Sequence, residues 1–148
     1  MILKAITAMK NIIKYEAMVL SCMDPRFQKP VHDYLKKQKL SGKYSSFTIA
    51  GAAIGVAHPK FKKWHLVFLN NLSISINLHK IKKLIVINHM DCGAAKMTKK
   101  NLLQNNEEID IHKYSFKKLN KIMKKKFPDL KIEFNIFFLN KKIKKIKL

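Results

Sequence analysis

The sequence predicts an α/β fold: a mainly parallel four-stranded central sheet with helices on both faces. Two observations carry this. Short apolar or alternating runs take turns along the chain with longer segments whose apolar residues recur every three or four positions, the pattern of strands joined by helical crossovers. The run at 84–88 is apolar throughout its centre, as parallel strands buried on both faces are. No repeat or break in composition divides the 148 residues, so a single domain over 1–148 is expected. With 47% hydrophobic residues the chain can bury a core without covalent staples.

Residues 1–14 place Ile2, Leu3, Ile6, Met9, Ile12 and Ile13 at roughly helical spacing among lysines, a short amphipathic leading helix or arm. Residues 17–21 form an apolar strand that Met23-Asp24-Pro25-Arg26-Phe27 breaks. Pro30 suits the first turn of a helix with Val31, Tyr34 and Leu35 inward, and Ser41-Gly42 ends it. Residues 44–50 alternate and are rich in aromatic and β-branched side chains, a second strand. Gly51 to Gly55 reads as a small-residue turn. Phe61, Trp64, Phe68, Leu72 and Ile76 then mark a long helix over 61–79, with Phe61, Trp64 and Phe68 in the core. A third strand covers 84–88, and a helix runs from about Ala94 to Leu103. Asn105 to Glu108 reads as a loop. Ile109, His112, Phe116, Leu119 and Met123 mark another helix, stopped near Pro128. Residues 132–139 form the fourth strand, and the lysine-rich 141–148 is a solvated tail or an edge extension.

The chain carries 31 Lys+Arg against 9 Asp+Glu, a formal charge of +22, and its only arginine is Arg26. Such a surface attracts nucleic acid or anionic lipid. The lysines nevertheless spread over every segment and no aromatic stacking motif accompanies them, so no specific nucleic-acid partner is expected. Abundant Lys, Asn and Ile fit an AT-rich coding sequence acting on tolerant surface positions. The most apolar stretch, Leu66 to Leu78, is interrupted by Asn and Ser and is too short for a membrane span. A soluble, cytoplasmic chain without a secretory signal is the expectation.

Cys22 and Cys92 can form one bridge, stay free or ligate a metal. Their surroundings favour the metal. Cys22-x-Asp24-x-Arg26 and His89-x-x-Cys92 each follow a predicted strand, where active sites of open α/β sheets lie. Two thiolates and one imidazole are a zinc ligand set that leaves a fourth position open. Asp24 lies two residues beyond Cys22 and so points the same way in an extended segment. Arg26 repeats that parity and can hold the carboxylate in a planar fork that lysine cannot supply. Gly93 either opens a helix whose N–H groups favour the Cys92 thiolate or makes a tight turn. His32, His58, His65, His79 and His112 are expected mostly at the surface or in packing.

Cys22-Met-Asp-Pro-Arg26 and His89-Met-Asp-Cys-Gly93 resemble the zinc motifs of the β-class carbonic anhydrases, and the resemblance spans roughly residues 17–95. It implies Zn²⁺ held by Cys22, His89 and Cys92, and reversible hydration of CO₂ to bicarbonate by hydroxide at the zinc. It also implies an Asp24–Arg26 dyad in which Asp24 becomes a fourth zinc ligand when the pair opens. A homodimer or higher homo-oligomer with the site near the subunit interface is implied as well. The family often has Ser where Pro25 stands, and an Asn-Ala-Gly segment where this chain reads Ile49-Ala50-Gly51. The alternatives are the same zinc chemistry on CS₂ or COS, or a zinc-binding relative with little activity.

Overall fold

A computed structural model of the chain describes residues 14–99 and 104–148; the expected leading helix lies outside the described residues. The elements are β1 (Ala17–Ser21), α1 (Gln28–Lys37), β2 (Tyr44–Thr48), α2 (Ala53–Ala57), α3 (Lys62–His79), β3 (Lys83–His89), α4 (Gly93–Met97), α5 (Asn105–Lys126), β4 (Lys131–Phe137) and β5 (Ile143–Ile146). The sheet order is β2-β1-β3-β4-β5, with the first four strands parallel and β5 antiparallel on β4.

Alternate residues of the central strands divide the core into two layers. Met18, Leu20, Leu84, Val86, Phe134 and Ile136 face α2, α3 and α5. Ala17, Val19, Ile85, Ile87 and Phe137 face α1, where Leu35 is fully buried. Helices therefore cover both faces, and the apolar runs of β1 and β3 follow from burial on both sides.

The sheet has five strands rather than the expected four. Ile143-Lys-Lys-Ile146 does not alternate, so it lacks a strand signature in sequence. Its two isoleucines fall on opposite faces: Ile143 pairs opposite Phe137 and Ile146 opposite Phe134, each capping one core layer. The two lysines between them lie exposed on the edge strand. Lys141, at φ +64°, turns the chain back.

Four further expectations change. The Gly51–Gly55 turn contains a buried one-turn helix, α2, closed by His58-Pro59. Asn105–Glu108 is the first turn of α5 rather than a loop, because Gln104 and Glu107 form a reciprocal capping box in which Glu107 accepts the Gln104 N–H at 3.0 Å. The expected helix to Leu103 ends at Met97 among the described residues. Trp64 is 36% exposed, stacked on the buried Phe61 at 4.7 Å, whereas Phe61 and Phe68 are core as expected.

Gly51 is a tightly packed point of the fold near the strand ends. It sits at φ +77°, and a Cβ there would come within 2.7 Å of Ala94 Cβ and 3.0 Å of Ile54 Cβ. Gly51→Ala is expected to destabilise the chain by about 1–3 kcal/mol through left-handed backbone and overpacking together. Urea unfolding of both proteins measures this, and equal midpoints with equal slopes would remove the constraint.

Candidate metal centre

The sheet order places β1 beside β3, while the chain leaves β1 toward β2 on one side and reaches β4 from β3 on the other. Such a reversal leaves a crevice beyond the carboxyl ends of the two strands. Ser21 pairs with Ile87, so Cys22 falls level with Asn88, one residue short of His89 at the end of β3. Cys92 follows from the turn after β3, where Asp91 adopts φ +58° and reverses the chain. The ligand atoms of Cys22, His89 and Cys92 all lie within 4.8 Å of one another, and all three residues are buried. No other such group of three occurs among the described residues.

The donor set suits a cation. His89 Nδ1 is 2.7 Å from the Met90 carbonyl and donates to it, which leaves Nε2 as the unprotonated nitrogen of the neutral ring. That Nε2 is buried and has no hydrogen-bond partner among the described residues. A buried lone pair aimed at two thiols, with the other nitrogen anchored to a carbonyl, is how a metal-ligating imidazole is held. Phe27 stacks on the His89 ring at 4.3 Å and fixes its plane.

The thiols divide their roles. The hydrogen bond from Cys92 lowers the Cys22 pKa well below the ordinary thiol value, aided by His89 and by the Gly51 N–H, which lies 3.3 Å from Cys22 Sγ. The same bond holds the proton on Cys92 and raises its pKa, as burial does, against the opposing N–H groups of Ala94 and Ala95. Burial lowers the His89 pKa, but the Cys22 thiolate, the Met90 carbonyl and Asp24 outweigh it and leave the ring more basic than usual. One thiol thus keeps its proton beside the other's thiolate, and a cation between them would let both ionise. The donors are two soft thiolates and an imidazole, which fit zinc.

Asp24 stands beside the triad, with Oδ2 3.8 Å from His89 Nε2. Arg26 grips it through Nη2 to Oδ2 at 2.7 Å and Nε to Oδ1 at 3.1 Å, and the Arg26 main-chain N–H donates to Oδ1 at 2.9 Å. The guanidinium holds the Asp24 carboxyl at about 2, so it is ionised at neutral pH. Asp24 and Arg26 do meet, but through a turn and not the expected extended parity: Asp24 caps the 3-10 turn Pro25–Phe27, and its side chain accepts the Arg26 main-chain N–H.

Sequence reasoning missed two acidic residues. Asp91 accepts Arg26 Nη1 at 2.8 Å on its side chain and Nη2 at 3.0 Å on its carbonyl, and Lys96 bonds its other oxygen. Glu108 accepts the Cys92 N–H at 2.9 Å. An acid inside the His89-x-x-Cys92 segment was the available signal for Asp91. Glu108 was hidden by the loop assignment. Gly93 opens α4, yet a Cβ there would meet nothing within 4 Å, so no tight turn demands glycine. Of the other histidines, His112 is fully buried, His58 and His65 are half-buried, with His65 Nε2 3.0 Å from the His58 carbonyl, and His32 is exposed. Two cavities border the Arg26–Asp91 bridge. One of about 680 Å³ is lined by Arg26, Tyr34, Phe137 and Lys141. The other, of about 490 Å³, is lined by Met90, Asp91, Lys96, Phe138 and Leu139.

A family model described as "Putative carbonic anhydrase" matches residues 13–143. An uncharacterized protein of Rickettsia bellii is 27% identical over 126 residues, 84% of this chain and 77% of its own length. A carbonic anhydrase from Glaciozyma antarctica superposes with TM-score 0.59 at 20% identity, over 95% of this chain and 87% of its own. The apo form of a carbon disulfide hydrolase superposes with TM-score 0.54 at 17% identity, over 96% of this chain and 84% of its own.

Zinc, if bound to this triad, would displace the Cys92 proton and would compete with protonation of His89. The metal-free site thus binds more protons than the metal-bound one, and affinity is expected to rise with pH, by about ten- to a hundredfold per unit between roughly pH 6 and 8. Chelator competition across that range checks the slope. Cys22→Ser and Cys92→Ser should each lose stoichiometric zinc by elemental analysis; full zinc content in either removes that cysteine from the ligand set.

Proposed function

The chain belongs to the carbonic anhydrase family whose model spans residues 13–143, and on that premise we propose that it is a zinc lyase hydrating carbon dioxide reversibly to bicarbonate. Cys22, His89 and Cys92 hold the zinc, and Asp24 and Arg26 form the dyad beside it. The observation that carries the reading is the buried, unpartnered His89 Nε2 facing two thiols with an ionised, arginine-held carboxylate 3.8 Å away.

Bound there, zinc supplies Lewis acidity that brings the deprotonation of water toward neutral pH. The residues supply the rest. Asp24 Oδ2 accepts a hydrogen bond from the reacting water and orients its oxygen lone pair toward the substrate carbon. With its pKa at about 2, Asp24 is an acceptor and not the proton store, so the proton released in each hydration passes to solvent. Arg26 keeps Asp24 ionised and turned from the ligand set; with the fork broken, Asp24 is near enough to become a fourth ligand. Asp91, bonded to the opposite edge of the guanidinium, fixes its orientation.

One domain over 1–148, acting as a homodimer or higher homo-oligomer in the reducing cytoplasm, belongs to the same reading. Two unbridged thiols suit such a compartment. No helix of the described residues is long and apolar enough to cross a membrane. A second substrate reading, zinc chemistry on carbon disulfide, draws on the likeness in fold to the carbon disulfide hydrolase.

Arg26→Lys separates the fork from mere charge. Lysine serves at 30 positions of this chain, so a surface role predicts no effect. A fork role predicts zinc retained and CO₂ hydration lowered by about 10²-fold, roughly 3 kcal/mol of transition-state stabilisation. Stopped-flow hydration with zinc content measured in parallel decides, and an equally active lysine variant would sink the dyad. A zinc-loaded wild type inert toward CO₂ but turning over CS₂ would shift the assignment to the second substrate.

A further inference from the structure

A buried chain of polar groups lies behind the ligand triad, and the chemistry proposed above makes no use of it. Asn88, the residue before His89, accepts the Ala53 N–H on Oδ1 at 3.1 Å and presents Nδ2 to His112 Nδ1 at 2.8 Å. Because the amide nitrogen donates, His112 Nδ1 is the acceptor and the ring proton sits on Nε2. That Nε2 donates to Glu108 Oε1 at 3.3 Å, one turn back on α5. The same Oε1 accepts the main-chain N–H of Cys92 at 2.9 Å. All of Asn88, His112 and Glu108 are buried, His112 completely.

An unpaired carboxylate at this depth is strongly unfavourable. Burial pushes the Glu108 carboxyl up, yet the bonds from His112 and from the Cys92 main chain outweigh it and keep the group ionised. Such an arrangement could be a strut tying α5 to the sheet. Its end points argue otherwise. One bond lands on the Cys92 main chain, one member immediately precedes His89, and the far end is Ala53 N–H, two residues from the Gly51 whose N–H reaches Cys22 Sγ. Cys92 is thus bonded to this chain and His89 adjoins it, while Cys22 is reached only through Gly51.

From this geometry we propose that Glu108, held in place by His112 and Asn88, is a positioning residue for the zinc ligands. It anchors the Cys92 main chain so that Cys92 Sγ converges on Cys22 Sγ and His89 Nε2. The inference rests on the zinc reading above. It assigns no proton transfer to Glu108 and none to His112.

The test uses the full chain as wild type, Glu108→Gln and Glu108→Leu. In glutamine one Oε1 can still accept both bonds that Glu108 Oε1 accepts, with the charge removed; leucine removes the acceptor. Zinc affinity is measured by chelator competition. The thiolate-to-cobalt absorption of the Co(II)-loaded protein and amide exchange of the metal-free protein are measured beside it. Expected is a ten- to hundredfold weaker zinc affinity and an altered cobalt band in Glu108→Leu, the range for lost partners of metal ligands. Glu108→Gln should stay within a few-fold of wild type. In Glu108→Leu the amides of 90–93 should exchange faster while those of β1 and β3 do not, which a general loss of stability would not produce. Wild-type affinity and spectrum in Glu108→Leu overturn the inference, as does equal weakening in both variants, which would make charge and not anchoring the cause. If Glu108→Leu does not fold, the wild type decides: a Cys92 amide exchanging like a free loop amide overturns the anchor, and one protected like the strand amides supports it. A wild type that binds no zinc overturns the zinc reading and this inference with it, and is told apart from the other outcomes by that single protein.

Discussion

The parallel pairing of β1 with β3 is the constraint on which the rest depends. Five residues of β1 run in register against β3, from Ala17 opposite Lys83 to Ser21 opposite Ile87. That register brings Cys22 level with Asn88, and so beside His89, although 66 residues lie between Cys22 and His89 in sequence. A slip of one residue would exchange the two core layers, moving Met18 and Leu20 to the α1 side and Val19 to the α3 side. The site's precision is therefore inherited from burial of both faces, and both faces are apolar because the strands are parallel and interior.

Around that crevice, charge is arranged by pairing rather than by amount. The chain carries a formal +22, yet the groups nearest the triad are acids: Asp24, Asp91 and Glu108. Arg26 spans two of them with one planar group, gripping Asp24 along one edge and Asp91 along the other. An ammonium would supply the same unit charge but could not present parallel N–H donors to both. This is a physical reason for the one arginine to lie here.

The first turn of α5 joins two kinds of ordering. Its capping box starts the helix at Asn105, and that start aims Glu108 and His112 at the back of the site. A local hydrogen-bond exchange between Gln104 and Glu107 thereby decides whether a carboxylate reaches Cys92, sixteen positions earlier in the chain. Local capping and a long-range polar contact agree, as expected of a sequence with one preferred fold.

By itself the sequence determined the alternation of strands and helices, the apolar centres of β1 and β3, and the two short clusters that end them. These are periodicity and local breaker signals, which need no knowledge of neighbours. It also put Asp24 and Arg26 within four residues of Cys22, although their contact comes from the turn at Pro25–Phe27 and not from the extended parity expected. It did not reveal β5, because Ile143-Lys-Lys-Ile146 lacks alternation and becomes a strand only against the edge of β4, where each isoleucine caps a different core layer. It hid α2, whose small residues read as a turn until packing buried them. It left Trp64 in the core, since spacing tells which residues share a face but not how deep that face lies. Tertiary structure alone decided that Asp91 and Glu108 belong to the site. A carboxylate's partner across 16 or 65 residues is set by where the sheet register and the start of α5 place it, and no local pattern encodes that distance.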